Sequence, residues 1–116
     1  NCRKMEQNVW PDPAVLEMLK NEVVLISLYV DDKRPLPKEE VIASRLRPGK
    51  KLKYIGQKWS ELQTLRFKAN SQPFYVLMNH EEQNLTDPIA YTPDVLAYQQ
   101  WLAEGINSFK NRIQSQ

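Results

Sequence analysis

The sequence predicts an α/β sandwich, and three observations carry that prediction. Residues 23–30, VVLISLYV, are apolar at seven of eight positions and rich in Val and Ile, the pattern of a strand covered on both faces. Val95, Tyr98, Leu102, Ile106, Phe109 and Ile113 follow one another at spacings of 3, 4, 4, 3 and 4, an apolar helical stripe that lies on a sheet. Between these, helix-like and strand-like segments follow in the order helix, strand, helices, strand, strand, helix, a crossover followed by a hairpin and a closing helix.

Each element has a local reason. Cys2, Met5, Glu6 and Val9 have helical spacing, and Pro11 stops that helix at or before Trp10. Asp12 caps the next helix, PAVLEMLKN, with Pro13 in its first position, where no N–H is needed, and Leu16 and Leu19 turn inward. The strand at 23–30 ends in Asp31–Asp32. A crossover follows, with a short helix from Pro37 and then a basic loop. A longer helix is expected from about Gly56 to Ala69, with Ile55, Trp59, Leu62, Leu65 and Ala69 along one side and Asn70 as its C-terminal cap. QPFYVLMN is the second clear strand, HEEQNL a polar turn and IAY a short third strand. Thr92 caps the last helix and Pro93 opens it.

Composition narrows the function. The 116 residues, 41% hydrophobic and 26% charged, fit one globular domain. A net charge of +2 does not mark a nucleic-acid binder, and no apolar run approaches the ~20 residues of a membrane helix. One cysteine excludes an internal disulfide and a cysteine-rich zinc site. The chain starts at Asn1 without an initiator Met and reads as a piece of something longer.

Three stretches carry a more specific resemblance. NCRKMEQNVWPDPAV offers Cys2, then a basic residue, an apolar one and Glu6, with Trp10 and Asp12–Pro13 after the helix. NSQPFYVLMN places Pro73 at the start of a strand, and YTPDVLAYQQWLAEGINSF forms a closing helix. Together they resemble the C-terminal, envelope-facing thioredoxin-like domain of bacterial DsbD-type thiol:disulfide interchange proteins. The resemblance spans the whole chain, residues 1–116, as one domain with an insertion at about 32–54. It implies a thioredoxin-like sandwich lacking the strand or strands that precede the Cys-x-x-Cys helix, because the motif's first cysteine falls three positions before Cys2.

The resemblance also implies roles. Cys2 is the resolving thiol of the Cys-x-x-Cys pair, Pro73 a cis-proline in the substrate groove, Gln72 a source of backbone contacts to substrate, and Glu6 a candidate modulator of the thiol. A thiolate attacks a substrate disulfide and a second thiol resolves the mixed disulfide, so this chain alone is not expected to turn over. The parent protein would sit in the inner membrane and pass reducing equivalents from its membrane redox domain to protein disulfides in the periplasm, and the resemblance implies no bound metal or organic cofactor.

Two other readings stand beside this one. The chain could be a non-redox thioredoxin-fold module that holds a partner in the groove beside Pro73. The basic segment with Arg45, Arg47, Lys50, Lys51, Lys53 and Lys58 reads first as a solvated loop and second as a surface for an anionic partner or lipid headgroups. Trp10, Trp59 and Trp101 read as core anchors and His80 as a turn residue. The adjacent acids Asp31–Asp32 and Glu81–Glu82 diverge and make no acid/base dyad.

Overall fold

The helix starts follow their capping residues. A computed structural model describes residues 2–114, with side chains through residue 111. It contains four helices, α1 (Cys2–Asn8), α2 (Pro13–Asn21), α3 (Ile55–Phe67) and α4 (Val95–Gln114), and a two-stranded antiparallel sheet of β1 (Ile42–Ala43) and β2 (Lys51–Leu52). The architecture is mixed α/β. The chain forms two compact units, residues 1–25 with 71–116, and residues 26–70.

In the first unit, the Asp12 carboxylate accepts from the N–H groups of Ala14 and Val15, at 3.1 and 3.3 Å, and so satisfies two donors at the start of α2. Asp94, rather than the expected Thr92, caps α4: its Oδ1 accepts from Leu96 and Ala97 N–H. The Thr92 hydroxyl instead donates to the Ala90 carbonyl. Met5 and Val9, Val15 and Leu19, and Tyr98, Trp101 and Leu102 form one buried cluster from α1, α2 and α4. On α2 the inward pair is Val15 and Leu19, while Leu16 is exposed. Tyr98, Leu102 and Ile106 of the predicted α4 stripe are buried, and Ile113 lies outside the residues whose side chains are described.

The predicted hairpin of 73–78 with IAY pairs through isolated bridges, Tyr75 with Ile89 and Met78 with Asn84. Tyr75 and Ile89 exchange both backbone hydrogen bonds, at 2.7 and 3.1 Å. Asn79 closes the turn, its Oδ1 accepting from Glu81 and Gln83 N–H.

Residues 23–30 depart from expectation: they form no strand, and Val24 and Ile26 are 89% and 73% exposed. An extended apolar run becomes a strand only when a neighbour takes its backbone N–H and C=O groups, and no segment of the described chain lies in ladder register with it.

The second unit is organised by a buried acid. The Glu61 carboxylate, on α3, accepts from the Ser44 hydroxyl at 2.6 Å and from Arg45 N–H at 2.7 Å. The Ser44 oxygen in turn accepts from Leu46 and Arg47 N–H. These bonds turn the expected basic loop into the end of a hairpin, with Ile42 opposite Leu52 and Ala43 opposite Lys51. The same contacts reorient α3. Its buried residues are Gly56 and Glu61, whereas Leu62 and Leu65, two members of the apolar side read from the sequence, are exposed. The helix ends at Phe67, and Lys68 rather than Asn70 is its C-terminal cap, in the left-handed conformation. Pro37 precedes a single 3₁₀ turn, Lys38–Glu40.

Hydrogen bonds from Ser44 and the Arg45 N–H hold the Glu61 carboxyl below its ordinary value of 4.5. Its stabilising contribution is therefore present above that value and is lost as pH falls through the lowered one. Glu61→Ala is expected to cost about 1.5–3 kcal/mol, the range for charge-assisted hydrogen bonds. It should also speed hydrogen exchange at Arg45–Arg47. Unchanged exchange there would show that Glu61 does not hold the turn.

Candidate functional site

The residues to which the resemblance assigns roles, Cys2, Glu6, Gln72 and Pro73, fall in the first unit. Cys2 lies in the first turn of α1, exposed and not in a disulfide. Glu6 follows one turn later on the same helix and is also exposed. Met5, one turn after Cys2, and Val9, just past the end of α1, share this helical spacing and are wholly buried, so the helix is seated from its second turn onward while Cys2 stays exposed at its start. The Gln72–Pro73 peptide bond is cis, with Pro73 buried and Gln72 exposed.

Tyr75 connects these two segments, and it was not singled out from the sequence. It lies two residues after Pro73, and its ring meets Trp10 at 6.3 Å, Tyr98 edge-on at 5.3 Å and Trp101 at 6.3 Å. Such tilted and edge-on pairs match the ring quadrupoles. Burial raises the Tyr75 phenol above its ordinary value, and negative charge at Tyr98, Cys2 and Glu6 raises it further. The Tyr75 ring joins the segment after Pro73 to Trp10, two residues past the end of α1.

No protein-family model and no curated protein matches this chain.

The aromatic floor is also satisfied in its polar atoms. Trp10 Nε1–H donates to the Tyr98 hydroxyl at 3.2 Å, and Trp101 Nε1–H donates to the Asp87 carbonyl at 2.8 Å. Both tryptophans serve as anchors that each hold a polar tip in place. His80 is exposed in its turn and stands edge-on to Phe109 at 5.8 Å. In the second unit Asp32 is engaged by Arg34, whose guanidinium holds the carboxyl below the usual range. Among the described residues no helix is long and apolar enough to cross a membrane.

Burial pushes the Tyr98 phenol up to about 12 from an ordinary 10.0, partly offset by the bond from Trp10. The folded value lies above the unfolded one. Its contribution to stability is therefore fully present below about pH 10 and is lost as pH rises through about 12. In an alkaline titration followed by phenolate absorbance, the component missing from Tyr98→Phe is expected to be the late one. It should coincide with loss of near-ultraviolet circular dichroism. An early Tyr98 component with the fold intact would contradict the buried placement.

Proposed function

We propose that this chain is the greater part of a thioredoxin-like, DsbD-type domain that passes reducing equivalents to protein disulfides in the bacterial envelope. The observation that carries the reading is the exposed, unbridged Cys2 in the first turn of α1, with the segment after Pro73 joined through the Tyr75 ring to Trp10, two residues past the end of that helix. The exposed apolar run at 24–29 supports the same reading, since a central strand beside it would supply the missing ladder.

In this mechanism a first cysteine, three positions before Cys2, attacks the substrate disulfide. One substrate sulfur leaves as a thiolate and the other stays in a mixed disulfide. The Cys2 thiolate then attacks the first cysteine's sulfur, releases the second substrate thiolate and closes the Cys-x-x-Cys disulfide. The membrane redox domain of the parent protein reduces that disulfide again. Pro73 and Gln72 line the groove in which an extended substrate pairs with the backbone. Glu6 modulates the thiol from the next turn.

An insulin-reduction assay comparing two chains tests this. The 116-residue chain is expected to show no turnover and to alkylate at one thiol. A chain extended upstream by its encoded residues is expected to turn over, and Cys2→Ser in that chain should accumulate the mixed disulfide. Turnover by the 116-residue chain would refute the resolving role. A residue other than Cys three positions before Cys2 would favour the non-redox module, a reading to which the single cysteine of this chain also conforms.

A further inference from the structure

We infer that the β1–β2 turn and the start of α3 form a binding site for a phosphate group, independent of the thiol chemistry. Residues between Ser44 and Gln57 line an open cleft of about 500 Å³. Arg47, Lys50, Lys51 and Lys53 line it, and no carboxylate does. Three acids of this unit are engaged elsewhere. Glu61 holds Ser44 and Arg45, Glu40 pairs with Lys58 at 3.0 Å, and Asp32 pairs with Arg34. None of the four cations makes an ion pair among the described residues. The chain as a whole carries only +2, so four uncompensated charges around one cleft are a local concentration that attracts anions.

The cations stand on a built frame. Ser44 fixes one wall, donating to Glu61 while accepting from Leu46 and Arg47 N–H. Gln57 fixes the other, its Oε1 accepting from Lys53 and Tyr54 N–H at 2.8 and 3.1 Å. A frame set before the ligand arrives lowers the ordering cost of binding. The volume falls in the range of small-molecule sites. Phosphate suits the donor set: Arg47 offers a planar fork for two oxygens, and the lysines act as point charges around the remainder. A nucleic-acid strand suits it less, because Tyr54 is the single aromatic on the cleft and strand binding uses successive stacking platforms. The phosphate can come from a soluble phosphate compound or from an anionic lipid headgroup.

Two titrations of the 116-residue chain at low salt test the site. One follows amide NMR shifts with inorganic pyrophosphate. The other measures flotation with phosphatidylglycerol/phosphatidylcholine vesicles against phosphatidylcholine alone. Saturable shifts confined to residues 44–57, with vesicle binding absent or competed away by pyrophosphate, support the site with a soluble source. Binding to the anionic vesicles that pyrophosphate does not displace supports it with a lipid source, provided the cleft variants weaken it. Lys50→Gln/Lys51→Gln/Lys53→Gln is expected to weaken binding roughly a hundredfold, and Arg47→Gln, in the turn outside the strands, roughly fivefold. Lys4→Gln/Lys20→Gln/Lys38→Gln removes equal charge elsewhere and should change it less than about threefold. Binding to neither probe, or equal weakening by the two triple variants, overturns the proposal.

Discussion

Replacing Tyr98 by Ala is expected to cost about 3–5 kcal/mol, the range for removing a fully buried aromatic side chain. Tyr98 is 1% exposed and sits where α1, α2 and α4 meet. Its ring contacts Tyr75 edge-on and Trp101 at 5.6 Å, and its hydroxyl receives the Trp10 indole N–H. Truncation leaves a cavity beneath these rings and takes away the acceptor of the Trp10 N–H, while Trp101 stays held by its bond to the Asp87 carbonyl. With total stabilities of about 5–15 kcal/mol for domains of this kind, such a loss removes much of the margin. Tyr98→Phe separates the two contributions. It keeps the ring and loses the bond from Trp10, at about 0.5–1.5 kcal/mol. Chemical denaturation of both variants checks this. A Tyr98→Ala loss below about 1 kcal/mol would contradict the packing.

The helices were legible where their ends were marked. Asp12–Pro13 announces α2, and the stripe through Tyr98, Leu102 and Ile106 announces α4. Helical hydrogen bonds close within the segment, so the sequence of a helix contains most of what it needs. A strand is different, because its ladder is completed by another segment. VVLISLYV has the composition of a strand, yet among the described residues no segment pairs with it and most of it is exposed. The β1–β2 hairpin failed for a complementary reason. Two residues on each side leave no periodicity to read, and the stabilising partner, Glu61, is 16 and 17 residues away from the groups it holds. That same acid explains the misread face of α3: a carboxylate with two donors can be buried where Leu62 and Leu65 are not. In the candidate site, Cys2 and Pro73 could be placed on their segments from local motifs. Tyr75, which brings the segments together, could not, because its importance lies in contacts 23 to 65 positions away along the chain.

Gly56→Ala is expected to cost about 3 kcal/mol or more, at the upper end for overpacking. Gly56 is the second residue of α3, and its N–H donates to the Asp32 carbonyl at 2.8 Å while Ile55 N–H donates to Arg34. These bonds satisfy donors that a helix start otherwise leaves open, and they draw the backbone of 30–32 against the helix. A methyl group at Gly56 would stand 2.5 Å from the Val30 oxygen, and 2.6 and 2.8 Å from the Asp32 nitrogen and oxygen. All three are backbone atoms and cannot rotate away, so either the helix start shifts or the bond to Asp32 breaks. Gly105→Ala provides the contrast. There the added carbon meets Leu77, whose side chain can adjust, and replacing glycine inside α4 gains up to ~1 kcal/mol of helix propensity. The expected net change at Gly105 is within about 1 kcal/mol. Hydrogen exchange should then show loss of protection across residues 52–58 in Gly56→Ala and none in Gly105→Ala. Equal, small effects at the two positions would mean that the backbone at 30–32 yields as readily as a leucine side chain, and that α3 is not pinned at its start.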